Sequence, residues 1–316
     1  MSVLDPIAIN LKTLHSTEAV TQLLNRPLHS WETSYLAHFS TYWNAILTDP
    51  RLLLIPVDDH MVHRGDGVFE AFRLIENNFY LLSQHLERLR FSAESIGLNV
   101  PWSDTDIKLL LQELAKATKE SNLIFRLFVS RGAGSFAANP YDCPQSHLTI
   151  VACRFKPLPS EKYQQGVKIG RSTLPQKQEP YCRIKSCNYL PNVLMKKEAV
   201  DRKLDFVVSF NEDGFLAESS TENIFIFTQN KELHFPRLQG ILKGTTLERC
   251  LQLANEKLQL PYRETNLSET DLINAQEVFM IGTTLDVLPV SSYENHIFSH
   301  KDVGIKLLAL IKKDQI

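Results

Sequence analysis

Three side chains of types that carry acid–base or anion-binding chemistry stand in separate parts of the sequence: Lys185, Glu218 and Arg88. Lysine and glutamate can hold and move protons, and the planar guanidinium of arginine suits phosphate better than an ammonium does. Taken singly, each has an ordinary explanation as a solvated lysine, a surface or helix-capping carboxylate and a partly exposed helix residue. They gain functional meaning only if the fold brings them into one constellation.

The elements around Arg88 are predicted from the spacing of apolar residues. A stripe at three- and four-residue intervals predicts a helix from about residue 83 to residue 97, with Arg88 beside the stripe. A second helix is predicted over about residues 103–120. Strands are predicted for LLLIPV, GVFEAFRLI, LIFRLFVS and LTIVACRF. This order of elements indicates an α+β arrangement rather than alternating βαβ units.

The other two residues, Lys185 and Glu218, follow the polar, proline-containing stretch PLPSEKYQQG at residues 157–166. Such a stretch is typical of an interdomain linker. We therefore expect a small α/β domain over residues 51–160 and a larger α/β domain over residues 161–316. Residues 1–50 are predicted to form an appended helical segment that ends near Pro50.

The composition is typical of a globular protein, with 43% hydrophobic residues, 22% charged residues and a formal net charge of -2. This near-neutral balance gives no reason to expect nucleic acid or a membrane as partner. The five cysteines contain no CxxC pair, and the N-terminal sequence lacks a basic region followed by a long apolar run. We expect a cytoplasmic location.

Five motifs, in order, resemble the class IV family of pyridoxal-5′-phosphate (PLP) enzymes. The motifs are DDHMVHRGDGVFEAFRL (58–74), QHLERLRFSA (84–93), KSCNYLPNVLMKKEA (185–199), GFLAESSTENIF (214–225) and LQGILKGTT (238–246). The family includes branched-chain and D-amino-acid aminotransferases and aminodeoxychorismate lyases. The resemblance covers about residues 50–290.

The resemblance implies a role for each residue of the motifs. Lys185 would form the Schiff base with PLP and move the substrate proton, and Glu218 would pair with the pyridine nitrogen. Arg88 would bind the phosphate, as would the backbone N–H groups of Ile241 and Leu242 and the hydroxyl of Thr283. The remaining implied contacts are Leu238 on one face of the ring, Tyr189 at the phenolic oxygen and Phe69 in the substrate pocket.

The substrate is less clearly indicated, because the sequence departs from several branches of the family. The spacing from Lys185 to Tyr189 is shorter than is typical of branched-chain enzymes. The Arg-x-His pair with which bacterial D-amino-acid aminotransferases bind the substrate carboxylate is missing, since residues 131–136 read RGAGSF. Some lyases carry threonine where this chain has Ala71. We expect an aminotransferase acting on an amino acid, of D or branched-chain type, and a 2-oxo acid.

Two alternatives stay open. One is an aminodeoxychorismate lyase that uses Lys185 to form p-aminobenzoate and pyruvate. The other is a non-catalytic scaffold that keeps the fold. His60 and His63 with nearby aspartates lack a second ligand cluster, so no metal site is predicted. The resemblance also implies PLP fold type IV, with a small N-terminal α/β domain, a larger barrel-like C-terminal α/β domain, and a homodimer.

Overall fold

The computed structural model describes residues 12–316, whose backbone forms two β-sheets with helices packed on them. The strands of the first sheet are β1 (Tyr35–Ser40), β2 (Ala45–Leu47), β3 (Gly67–Ile75), β4 (Asn78–Phe79), β5 (Leu123–Ser130) and β6 (His147–Arg154). They lie in the order β2-β1-β6-β5-β3-β4, and every neighbouring pair is antiparallel. The long ladder between β3 and β5 runs from Gly67 opposite Ser130 to Leu74 opposite Leu123.

Four helices belong to this half of the chain: α1 (Ser16–Asn25), α2 (His60–Arg64), α3 (Leu82–Ser95) and α4 (Asp104–Thr118). The stripe predicted for α3 is buried at Leu86, Leu89 and Ala93, where the helix packs against β3. Helix α4 begins at the N-cap Ser103, whose hydroxyl accepts a hydrogen bond from the N–H of Asp106. These two helices and the sheet therefore enclose the first hydrophobic core.

The second sheet contains nine strands. They are β7 (Val167–Arg171), β8 (Phe206–Phe210), β9 (Leu216–Ser219), β10 (Asn223–Phe227), β11 (Leu233–Pro236), β12 (Tyr262–Thr265), β13 (Glu277–Gly282), β14 (Asp286–Tyr293) and β15 (His296–Ile297). The order is β12-β11-β10-β13-β14-β7-β8-β9, with β15 paired to β14. Parallel pairs join β11 to β12 and β7 to both β14 and β8, so this sheet is mixed.

The second sheet curls until its two ends meet. The N–H of Leu216 in β9 donates to the carbonyl of Leu267, which follows β12, over 2.7 Å. Phe215 and Ser268 form a further antiparallel bridge at the same place. This closure gives the C-terminal half the barrel-like character that was expected. A sheet whose two ends are joined has little free edge, as in a barrel.

Five helices surround the curled sheet: α5 (Ser160–Gln165), α6 (Leu190–Asp201), α7 (Thr245–Leu258), α8 (Glu269–Ile273) and α9 (Asp302–Asp314). Helices α7 and α9 pack together against β13 and β14. Their buried side chains join Phe225 and Phe279 in one hydrophobic cluster. A second cluster fills the inside of the curl and includes Ile224, Met280 and Tyr293. Because both faces are covered, β10 is buried along its whole length.

The prediction of a helical segment before residue 50 is wrong for residues 35–47. Helix α1 is present, but β1 and β2 belong to the first sheet, and β1 pairs with β6 from Tyr35 to Ser40. Residues 1–11 of the predicted segment lie outside the described residues. The LLLIPV stretch (52–57) is not a strand either, since Leu52 ends a 3₁₀ helix and residues 53–56 have no regular secondary structure. The first sheet therefore begins earlier in the chain than the sequence indicated.

The predicted division at residue 160 falls between the last strand of the first sheet, which ends at Arg154, and β7, which begins at Val167. As a domain boundary it stays a prediction. The predicted linker contains the short helix α5. Within residues 12–316, no helix combines the length and the apolarity that crossing a membrane requires.

Candidate active site

A cavity of about 380 Å³ opens between the two sheets. Its walls come from β3 and β5 of the first sheet, the first turn of α7, the segment that leads into α6, and the turns that join β9 to β10 and β13 to β14. Lys185, Glu218 and Arg88 all line it. The fold therefore brings together the three residues that the sequence left far apart, in a space of the size that small-molecule sites occupy.

Lys185 is held by a segment that pairs with the free edge of β3. The N–H of Phe69 donates to the Lys185 carbonyl over 3.0 Å, and the N–H of Cys187 donates to the Gly67 carbonyl over 2.8 Å. The Lys185 N–H donates to the hydroxyl of Ser92 in α3 over 3.1 Å. Both the backbone and the direction of this side chain are thus fixed by the first sheet and its helix.

The ammonium of Lys185 lies 4.7 Å from the centre of the Phe69 ring. Burial, together with the positive charge of Arg88, lowers the pKa of Lys185 to about 8. A lower pKa leaves a larger fraction of the amine neutral near pH 7. Since only the neutral amine attacks a carbonyl, the surroundings of Lys185 favour a nucleophile over a solvated charge.

Arg88 belongs to a buried network that joins three elements. Its Nε and Nη2 donate to the two oxygens of Glu70 in β3 over 2.7 and 2.8 Å, and its Nη1 donates to the Lys243 carbonyl over 2.9 Å. The same carboxylate lies 2.7 Å from Nδ1 of His85, whose Nε2 lies 3.2 Å from the hydroxyl of Thr245. Burial alone would raise the pKa of Glu70, but the Arg88 guanidinium holds this pKa well below its usual range. These contacts therefore hold the Arg88 guanidinium in place beside the start of α7.

The carboxylate of Glu218, in β9, receives fewer hydrogen bonds than that of Glu70. Its Oε2 accepts one hydrogen bond, from the N–H of Leu242 over 3.1 Å. Burial raises the pKa of Glu218 to about 7, although the nearby charge of Lys177 opposes this shift. A carboxylate at a cavity wall with a single donor can accept a second, charged donor from a ligand.

The structure places most of the other predicted site residues in the cavity wall, namely Phe69, Tyr189, Leu242 and Thr283. Tyr189 stands edge-on to Phe69 with 5.0 Å between the ring centres. The Leu242 N–H donates to Glu218, so it is not free to bind phosphate as the sequence had suggested.

Two predicted residues do not line the cavity. Leu238 lies in the 3₁₀ turn Leu238–Gly240 and packs against the core around α7. Ile241 is buried and borders a separate cleft, which shares only Lys177 with the cavity.

Several cavity residues were missed by the sequence analysis. Arg126 interrupts the otherwise apolar strand β5, and this single charge in LIFRLFVS was a usable signal. Thr245 and Thr246 stand within a quoted motif, and their place at the first turn of α7 gave a second signal. Lys177 also lines the cavity, but nothing in its sequence surroundings distinguishes it.

His60 and His63 lie in the first half of the chain, and Nε2 of each contacts a backbone carbonyl, that of Ser135 for His60 and that of Asp58 for His63. His60 has Nε2 3.2 Å from the Ser135 carbonyl and Nδ1 3.5 Å from Asp66. Among residues 12–316, no group of three or more His, Cys, Asp or Glu side chains is arranged to hold a metal ion.

The chain matches the family model for amino-transferase class IV over residues 67–293, so it belongs to the class IV aminotransferases, a family of enzymes. It is 31% identical over 284 residues to the chloroplastic D-amino-acid transaminase of Arabidopsis thaliana, which covers 88% of this chain and 75% of the relative. It is also 29% identical over 264 residues to the aminodeoxychorismate lyase of Bacillus subtilis, covering 82% and 88% of the two chains. The family expected from the five motifs is confirmed.

The fold is shared with a T.th. branched-chain amino acid aminotransferase whose structure contains pyridoxamine 5′-phosphate. The TM-score is 0.83 at 22% sequence identity, and the alignment covers 89% of this chain and 94% of that chain. The prediction of fold type IV is confirmed.

Proposed function

We propose that this chain is a PLP-dependent aminotransferase that moves an amino group between an amino acid and a 2-oxo acid, with Lys185 as the residue that holds the cofactor. The observation that carries the proposal is the entry of Lys185, Glu218 and Arg88 into one cavity of about 380 Å³. Membership of the class IV family and a structural neighbour that binds pyridoxamine 5′-phosphate support this cofactor.

The residues around the cavity fit a phosphorylated pyridine at both ends. Arg88 and the first turn of α7 both line the cavity, and the N–H groups of that turn have no acceptor within the helix. We assign the phosphate to Arg88, Thr245 and Thr246, with Thr283 as a further hydroxyl donor. We assign the ring nitrogen to Glu218, because this carboxylate has room for a charged donor, and the phenolic oxygen to Tyr189.

The bound cofactor supplies an electron sink for the bond that is broken at the substrate Cα. The chain supplies the proton transfers. Lys185, whose pKa is lowered to about 8, would take the proton from the substrate Cα as general base and return it as general acid. Glu218 would balance a positive charge on the ring nitrogen, and Phe69 and Tyr189 lie over the Lys185 amine on one side.

Arg126 is the best candidate to bind a substrate carboxylate. It projects from β5 into the cavity opposite the small Ala71 of β3 and, within residues 12–316, forms no ion pair. Residues 131–136 lack the Arg-x-His pair, and Arg126 offers the cavity another cation for the carboxylate. Arg126→Gln should raise KM for the amino acid about 10- to 150-fold, since a charged hydrogen bond contributes about 1.5–3 kcal/mol. Arg126→Lys should lose less, and equal KM values in the parent and Arg126→Gln would reject this role.

The substrate class stays a proposal: a D-amino acid, or an amino acid of branched-chain type, with a 2-oxo acid as acceptor. Similarity to the Bacillus subtilis lyase favours one second candidate, the cleavage of aminodeoxychorismate to p-aminobenzoate and pyruvate. The two reactions differ in their requirements, because only the aminotransferase consumes a 2-oxo acid.

The test is an assay of the PLP-loaded parent, Lys185→Ala and Lys108→Met with panels of D- and L-amino acids plus 2-oxoglutarate, and separately with aminodeoxychorismate alone. Lys108 is an exposed residue of α4 and serves as the matched control. We expect amino transfer in the parent and the control, and a loss of about 10²–10⁴-fold in Lys185→Ala. Release of pyruvate from aminodeoxychorismate without an acceptor would favour the lyase, and a parent that binds no PLP would reject both.

We also propose a homodimer in the cytoplasm. Leu190 and Val193, in the first turn of α6 next to the cavity-lining Tyr189 and Asn192, expose large apolar side chains that a second copy would cover. All five cysteines are free thiols, as expected in a reducing compartment. Light scattering of the purified protein should give twice the chain mass, and a monomer would reject the dimer.

A further inference from the structure

Glu218 stands between two spaces. On one side is the main cavity, and on the other is a small pocket of about 10 Å³. Three residues border both spaces: Lys177, Asn192 and Glu218. Buried polar atoms of the small pocket, Oδ1 of Asn192 and Oγ of Ser219, have no hydrogen-bond partner in the structure. The surroundings of Glu218 are thus polar and enclosed, and they offer this carboxylate few donors.

Lys177 borders both spaces and, like Arg126 elsewhere in the cavity wall, forms no ion pair within residues 12–316. It lies on the segment that leads to Lys185, is half-buried, and has its ammonium 5.3 Å from the centre of the Tyr189 ring. Within the described part of the chain, its side chain forms neither an ion pair nor a hydrogen bond. Lys177 and the partly buried Glu218 line the same two spaces, and two charges that are partly withdrawn from water interact more strongly than two surface charges at the same separation.

The other charges near Glu218 are already engaged. Arg88 is paired with Glu70, and Lys185 is the residue that the cofactor would occupy. Glu222 adds a like charge from the turn before β10, which disfavours the ionised form of Glu218. The titratable and charged groups that face Glu218 from the surrounding elements are Lys177, Lys185, Arg88, Glu222, Tyr189 and Cys182.

We propose that Lys177 is a positioning residue that keeps Glu218 ionised and thereby sets the pH range over which the chain binds its cofactor. The proposal rests on the proposed function, because it assumes that Glu218 meets a protonated ring nitrogen. Of the charges that favour the ionised form, that of Lys177 has the largest effect on the pKa of Glu218. Removing it should raise this pKa further above about 7. Fewer molecules would then carry the charged carboxylate near neutral pH.

The test is the pH dependence of pyridoxamine 5′-phosphate binding to the cofactor-free protein, followed by tryptophan fluorescence. This probe carries an amine where PLP carries an aldehyde, so it forms no bond with Lys185 and reports the non-covalent contacts. The variants are Lys177→Met, the conservative Lys177→Arg, and the control Lys108→Met. For Lys177→Met we expect the acid limb of the affinity profile to move up by about one pH unit. This shift corresponds to about tenfold weaker binding near pH 6.5 and less than about twofold near pH 9.

Lys177→Arg should follow the parent, because the positive charge is kept. In a Glu218→Gln background, Lys177→Met should have no further effect. The proposal is overturned if the profiles of Lys177→Met and the parent superimpose, if Lys177→Arg loses as much as Lys177→Met at every pH, or if the losses of Lys177→Met and Glu218→Gln add. Failure of the proposed function has a different signature, since the parent itself would then not bind the probe.

Discussion

The two ends of the cavity are built in opposite ways. At the Arg88 end, each nitrogen of the guanidinium donates to Glu70 or to the Lys243 carbonyl, and Glu70 also contacts His85. At the Glu218 end, one backbone N–H is the only donor that the carboxylate receives from residues 12–316, and burial raises its pKa. The chain thus organises the first end completely, whereas the second end gains its missing partner only from a ligand.

This contrast separates folding from function within one site. A fully paired buried network is satisfied before any ligand arrives, and removing one of its members leaves an uncompensated charge. A partly buried carboxylate with few donors lowers the stability of the folded chain until a cation pairs with it. The following variants measure this difference in the cofactor-free protein.

The largest effect is expected for Glu70→Gln. This change leaves the Arg88 guanidinium buried without its carboxylate and should lower the free energy of unfolding by about 3–5 kcal/mol. Urea denaturation followed by circular dichroism measures the change. The control is Glu113→Gln, which breaks the exposed pair with Lys116 and should cost less than about 1 kcal/mol. Equal losses in the two variants would show that the Arg88 end is not organised as described.

Glu218→Gln should act in the opposite direction and depend on pH. In the folded chain the pKa of Glu218 is raised from 4.5 to about 7, so between these values the folded state binds more protons than the unfolded state. Stability of the cofactor-free parent should therefore fall as pH rises through this window. Glutamine removes the titration, so the variant should equal the parent near pH 4.5 and exceed it by about 3 kcal/mol above pH 7. Parallel stability profiles across this range would argue against the raised pKa.

Thr245→Val should have the smallest effect. It removes the hydroxyl that contacts Nε2 of His85 and keeps the shape of the side chain, so about 1 kcal/mol of stability should be lost. The neighbouring Thr246 is also buried, and within residues 12–316 its hydroxyl makes no hydrogen bond to another residue. Thr246→Val is therefore the matched control for urea denaturation. If both variants lose the same amount, the His85 contact does not link α7 to the Arg88 network.

Much of the fold could be predicted from periodicity. Helices α3 and α4 and strands β5 and β6 appear where their apolar spacing indicated. The failures have local causes. The residues of β1 and β2 lack a clean alternation, and β1 is held mainly by its partner β6 more than a hundred residues later, which no local pattern reveals. The LLLIPV stretch is apolar enough for a strand, but Pro56 lies within it and its first residue, Leu52, ends a 3₁₀ helix.

The site divides in a similar way. Lys185, Glu218 and Arg88 were found because each stands in a motif of recognisable sequence, and the cavity collects all three. Lys177 could not be found, since its meaning depends on the distance between a loop and β9 across the fold. The Leu242 N–H was assigned to phosphate because it precedes α7, but the curl of the second sheet brings Glu218 to it instead.

The hydrogen bonds between the Lys185 segment and β3 have a mechanical consequence. They fasten Lys185, the proposed point of covalent attachment, to the first sheet, whereas Glu218, the proposed partner of the ring nitrogen, belongs to the second sheet. A cofactor held at both points would act as a cross-brace between the two halves of the molecule. Its arrival should therefore slow the opening of the seam between the sheets, and amide hydrogen exchange along β3 and β9 should report the loading of the enzyme.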